Sequence, residues 1–75
     1  MERQFIDMKA TGERIKQLRI ENGYSVAQLQ KIFGFEYPQT IYKWEWGENL
    51  PTIDNLLFLS QIFNVEIKDV LETKK

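Results

Sequence analysis

Four stop signals cut this 75-residue chain into short helical pieces, and that division limits what it can fold into. Asn22-Gly23, Gly34, Gly47 and Asn64 each follow a run of apolar residues at helical spacing. Glycine, and less often asparagine, accepts the left-handed backbone with which helices end. The first run begins near Thr11, with Ile15 and Leu18 three apart and Arg19 beside Leu18. Ser25 opens the second run. With Gln28 it makes an S-x-x-Q capping box, in which two orphan backbone donors are satisfied. Val26, Leu29, Ile32 and Phe33 form its apolar face. The connection Phe35-Glu36-Tyr37-Pro38 leads to the third run. Pro38 suits the first helical position, where its missing N–H costs nothing.

Ile41 and Trp44 give the third run its inward stripe, and Glu48-Asn49-Leu50-Pro51 reads as a loop. Thr52 is a credible N-cap for the fourth run. There Leu56, Leu59 and Phe63 recur at helical spacing, widened by Leu57 and Ile62. Ile67, Val70 and Leu71 outline a short fifth helix. No segment alternates with period two for long enough to suggest a strand. The expected fold is all-α, a compact bundle of five short helices. The expected core is Ile15, Leu18, Leu29, Phe33, Ile41, Trp44, Leu56, Leu59 and Phe63. Residues 1–9 read as an N-terminal arm, 10–72 as the helical domain and 73–75 as a polar tail. Phe35, Tyr37 and Trp46 are left as aromatics with spare capacity for a partner.

Composition removes several classes of function. The chain has no cysteine, so disulfides and thiolate nucleophiles are out. With no histidine either, a structural zinc site lacks its usual ligands, and His-based acid–base chemistry is missing. The carboxylates are scattered, and no Gly-rich phosphate loop follows a strand. A protein that is not an enzyme, with no cofactor and no metal, is expected. The charged N-terminus precedes no long apolar run, so a signal peptide is not supported. The most apolar stretch, Leu56 to Val65, is too short for the about 20 residues that cross a bilayer. A soluble, cytoplasmic protein that does not enter the membrane is the expectation.

The net charge of −1 argues at first against a nucleic-acid partner. Its distribution does not. Residues 9–43 carry net +3, residues 44–75 net −3 and residues 1–8 net −1. Surface potential follows such local sums. The first half can attract an anion that the whole chain cannot.

An ordered set of residues then carries a resemblance. Gly12-Glu13-Arg14-Ile15-Lys16-Gln17-Leu18-Arg19 is followed by Gly23-Tyr24-Ser25, Leu29 and Gly34. Next come Ile41-Tyr42-Lys43-Trp44-Glu45-Trp46-Gly47, Pro51, Leu56-Leu57-Phe58-Leu59 and Phe63-Asn64-Val65. This order and spacing, from about Gly12 to Leu71, resembles the phage-repressor or Xre-type helix-turn-helix family. The resemblance implies five helices, of which the second and third form the helix-turn-helix. It implies a transcriptional regulator, most often a repressor, that binds double-stranded DNA with the helix at about 38–47 in the major groove. It also implies dimers on palindromic operators, with half-sites roughly 34 Å apart. Exposed apolar residues on the last helix offer a surface for such a homodimer. Two positions depart from the pattern. Gln30 stands where a small residue is usual, and the turn between Gly34 and Ile41 is one residue longer.

The resemblance supplies candidates for DNA contact, and each has a plainer reading beside it. Gln39, Thr40, Tyr42 and Lys43 are the base-contact candidates. Gln can bond adenine N6 and N7, Thr can meet a thymine methyl, and Lys can reach guanine or a phosphate. Equally, polar residues open helices because they are solvated, and Tyr42 can simply pack on the surface. Ser25, Gln28, Trp46 and Asn49 are the backbone candidates. Helix N-termini favour phosphates, and an indole N–H can donate to one. Capping alone would explain Ser25 and Gln28, an apolar patch would explain Trp46, and a turn would explain Asn49. The resemblance also pairs Arg19 with Glu45 as a structural ion pair between the first and third helices.

A chain ending just past the fifth helix is expected to carry no ligand-sensing domain. Control would then come from abundance, dimerisation or a protein partner. The rival reading is a protein-interaction module, such as an antitoxin-like factor, with weak or no DNA binding.

Overall fold

The structure, a computed structural model, describes residues 1–75. Five helices follow one another: α1 (Met8–Glu21), α2 (Val26–Phe33), α3 (Gln39–Glu45), α4 (Ile53–Phe63) and α5 (Ile67–Val70). Two short strands bracket them, β1 (Phe5–Ile6) and β2 (Thr73–Lys74). Local chemistry explains most of the boundaries. Gly23, Gly34, Gly47 and Asn64 all have positive φ, between 53° and 77°, and each sits just past a helix. Ser25 and Gln28 close the expected capping box, and Thr52 accepts a bond from the Asn55 amide at 3.2 Å. Pro38 lies one position earlier than expected. It precedes α3, and its carbonyl accepts from the amides of Ile41 and Tyr42.

The chain ends depart from expectation. α1 starts at Met8, not near Thr11, because the Asp7 side chain caps it by accepting from the Ala10 amide at 3.0 Å. The supposed arm and tail meet: β1 and β2 pair antiparallel, Phe5 opposite Lys74 and Ile6 opposite Thr73. Thr11 anchors this ribbon. Its buried hydroxyl accepts from the Glu72 amide at 2.9 Å and donates to the Glu72 carbonyl at 3.3 Å. The Asp7 amide adds a bond to the same carbonyl at 2.8 Å. Strands of two residues are too brief to show a period, which is why the sequence pattern hides them.

The core is one cluster: Ile15, Leu18, Leu29, Ile41, Trp44, Leu56, Leu59, Phe63 and Val70. Phe33, expected inside, is half-buried and joins the cluster from its edge. The apolar residues of the last helix, expected to be exposed for pairing two copies, turn inward: Val70 is fully buried, and Ile67 and Leu71 are half-buried against the core. Phe35 is not spare. It stacks on Phe33 at 5.2 Å between ring centroids and meets Trp44 edge-on at 5.8 Å. Phe33 also meets Trp44 and Phe58 edge-on, at 5.5 and 4.9 Å. Offset and edge-to-face pairs of this kind add about 0.5–1.5 kcal/mol each beyond the area they bury. No buried side-chain nitrogen or oxygen lacks a hydrogen-bond partner.

The most extensive helix contact is between α1 and α3. A Cβ added at Gly12 would run into the Trp44 carbonyl oxygen and come within 2.7 Å of the Glu45 carbonyl oxygen. Gly47 plays the matching part from the other side. A Cβ there would lie 2.7 Å from the Lys9 Cα, and its backbone is left-handed as well. The crossing therefore needs both glycines. Gly12→Ala should destabilise the domain by about 3 kcal/mol, the upper end for overpacking a rigid site. Gly23→Ala meets open space and should cost only about 1–2 kcal/mol for its left-handed backbone. Urea titration of both variants would check the order, and equal midpoints would contradict the close crossing.

Candidate nucleic-acid interface

Burial sorts α3 into two faces. Ile41, Trp44 and Glu45 are buried at positions three and four apart, so one stripe of the helix faces α1 and the core. Gln39, Thr40, Tyr42 and Lys43 are exposed, as is Trp46 at the C-cap. Tyr42 and Trp46, one turn apart, stack at 5.5 Å between centroids with 20° between ring planes. Trp46 remains 63% exposed in this arrangement, so the pair is a surface feature and not an annex of the core.

The start of α2 lies beside this face. Val26 lines the same groove as Tyr42 and Trp46, which brings the N-terminus of α2 next to α3. Ser25 Oγ accepts from the Gln28 amide at 3.0 Å, and Gln28 Oε1 accepts from the Ser25 amide at 2.7 Å. The capping box uses acceptors only. The Ser25 hydroxyl proton and the Gln28 Nε2 protons stay available as donors, beside the first amides of α2, which have no partner within the helix. Asn49 is exposed in the loop after α3, and its amide donates back to the Lys43 carbonyl at 3.3 Å.

Under this surface lies an ion pair. Arg19 Nε donates to Glu45 Oε2 at 2.7 Å, and Arg19 Nη2 to Oε1 at 3.2 Å. Nη1 donates to the Tyr24 carbonyl at 3.0 Å. The fork is two-pronged and nearly dry, with side-chain exposures of 12% for Arg19 and 4% for Glu45. It fastens α1 to α3 and to the turn that leads into α2.

The pair also changes the electrostatics. Arg19 is neutralised by a carboxylate from the acidic half of the chain. Arg14 is turned to the other end, where Nε donates to the Asp69 carbonyl of α5 at 3.0 Å. Arg14 keeps its charge, since its partner there is a neutral carbonyl, but on the side of α3 the free cations are lysines: Lys43 on its outer face and Lys16 lining the groove below Tyr42 and Trp46. Glu13 lines the groove too. Sequence reasoning passed over Glu13 and Lys16, although their three-residue spacing with Arg19 on α1 is a signal that they share its face. Tyr37, 64% exposed, borders a second shallow depression with Gln39 and Thr40.

Comparison with known proteins places the chain in a family. Residues 12–75 match the model of the helix-turn-helix domain, and the chain belongs to that family. Two curated relatives are archaeal. One from Pyrococcus furiosus is 32% identical over 57 residues, which is 76% of this chain. One from Pyrococcus abyssi is 30% identical over the same length. Both bear the name "Putative HTH-type transcriptional regulatory protein". The chain spans 18% of the length of each. Among solved structures, the DNA-binding domain of BldD superposes with a TM-score of 0.73 at 21% identity, over 87% of this chain and 93% of that one. The restriction-modification controller protein C.AhdI of Aeromonas hydrophila gives 0.74 at 23% identity, over 85% and 96%. These two likenesses establish the fold.

Glu45→Ala should cost about 3–5 kcal/mol, because it leaves the Arg19 guanidinium buried and unpaired. A domain of this size has only about 4–11 kcal/mol in all, so the variant should be partly unfolded near physiological temperature. Circular dichroism on heating would show this, and a wild-type melting temperature would contradict a buried pair.

Proposed function

We propose that this domain is a sequence-specific DNA-binding transcriptional regulator that reads the major groove with α3. The observation that supports this best is the division of α3 into a buried stripe and an exposed one, set beside the capped N-terminus of α2. In a helix-turn-helix domain that exposed stripe is the one that meets base edges. Gln39 and Thr40 open the helix and take the base-reading role. Lys43 reaches guanine or a phosphate, and Tyr42 contacts a base or sugar. The spare donors of Ser25 and Gln28, with the first amides of α2, hold a phosphate oxygen. Trp46 Nε1 and Asn49 bind the backbone beyond the end of α3.

Occupying a site blocks other proteins without further chemistry, so we read the regulator as a repressor. Two copies on a palindrome would place their reading helices roughly 34 Å apart. Few cations lie on the outer face of α3 itself, where Lys43 stands alone, so specificity leans on α3 and non-specific affinity is modest. The relatives from Pyrococcus carry regulatory names that agree with this reading.

Selection from random duplexes, followed by band-shift titration, tests it. A defined sequence should be enriched. Gln39→Ala should weaken the enriched site by about 1–3 kcal/mol while changing affinity for random duplex little. Lys43→Ala, if the lysine is on a phosphate, should weaken all sequences alike and reduce the log–log salt slope by about 1. A protein that enriches nothing and shifts no duplex at low salt would be a protein-interaction module instead.

A further inference from the structure

α3 begins without a side-chain cap. Pro38 occupies the cap position and makes no side-chain hydrogen bond, whereas α1, α2 and α4 are capped by Asp7, Ser25 and Thr52. The segment before it, residues 34–38, exposes Glu36 and Tyr37 to solvent. An uncapped helix start behind an exposed five-residue connection ought to fray. One residue of α2 reaches across this connection. Gln30 Nε2 donates to the Phe35 carbonyl at 3.3 Å and to the Glu36 carbonyl at 3.1 Å. Both partners are carbonyl oxygens, so only the amide's NH2 side can face them. The Gln30 main-chain carbonyl meanwhile accepts from the amides of Gly34 and Phe35. Four backbone groups of the connection thus converge on one residue.

We infer that Gln30 is a positioning residue: it holds the connecting turn, and through it the orientation of Gln39 and Thr40 at the start of α3. The long side chain and the long turn are two halves of one arrangement. A small residue at position 30 could not reach either carbonyl, and a shorter turn would not present them. The inference rests on the DNA-reading role of α3 proposed above, but its first consequence is visible without DNA.

The test uses the full chain with Gln30→Met, which keeps length and neutrality but cannot donate, and Gln30→Ala, which removes the reach altogether. Both should melt close to wild type, since Gln30 is outside the core cluster. In nuclear magnetic relaxation, backbone order parameters at Glu36, Tyr37 and Gln39 should fall from about 0.85 towards about 0.6, with α1 and α4 unchanged. On DNA, the ratio of selected-site to random-duplex affinity should drop about tenfold in both variants, with an unchanged salt slope because phosphate contacts are retained. Order parameters that stay at wild-type values would overturn the tether. A loosened turn with an unchanged affinity ratio would overturn its role in reading. A wild type that selects no sequence would sink the DNA-binding proposal alone, and the relaxation result would still decide the tether.

Discussion

The α1–α3 crossing is the constraint on which the rest of the domain depends. Gly12 gives up its side chain so that the α3 carbonyls can lie against α1, and Gly47 turns the chain away where Lys9 blocks it. Arg19 and Glu45 then bridge the same two helices by a buried fork. These features act together. The close approach removes water from the ion pair, which strengthens it, and the ion pair orients the stripe of α3 that carries Ile41 and Trp44 inward. Burying that stripe leaves Gln39, Tyr42 and Lys43 facing out. The outer face of α3 is thus set by what lies beneath it.

That dependence reshapes the charge argument. Counting residues along the chain put six cations in the basic half. Two of the six are arginines with structural work, Arg19 on Glu45 and Arg14 on the Asp69 carbonyl. A guanidinium is suited to such fixed, multidentate contacts, while a lysine ammonium on a flexible stem suits a mobile surface. The domain divides its cations accordingly. The outer face of α3 presents aromatics, an amide, a hydroxyl and a single lysine, so hydrogen-bonding and stacking groups outnumber charge on it.

Much of the architecture was legible in the sequence because its causes are local. A left-handed residue at Gly34 or Asn64 and a capping box at Ser25 and Gln28 involve atoms within a few residues of each other. The apolar stripe of α4 is equally local. The Arg19–Glu45 pair became visible through the family resemblance and not through spacing. What stayed hidden involves distant partners. The Thr11 hydroxyl meets Glu72 across 61 positions, and no pattern in either segment announces it. Phe35 looked free because its partners Phe33 and Trp44 lie on two different helices. Gln30 stood out as a departure, but the reach of its amide to the turn depends on how residues 34–36 fold back over α2. At the candidate site, helical period separated the outer face of α3 from the inner one. The share of that groove contributed by Glu13 and Lys16 needed the crossing angle of α1, which the sequence does not encode locally.

The ribbon between β1 and β2 has a topological consequence. With Phe5 beside Lys74, the path of the backbone is closed nearly to a ring. Order along the chain and position in space are thereby uncoupled. A peptide link between the ends would leave the helices where they are. Whatever is joined to either end departs from one shared point on the surface. Two attachments, one at each end, would meet as neighbours.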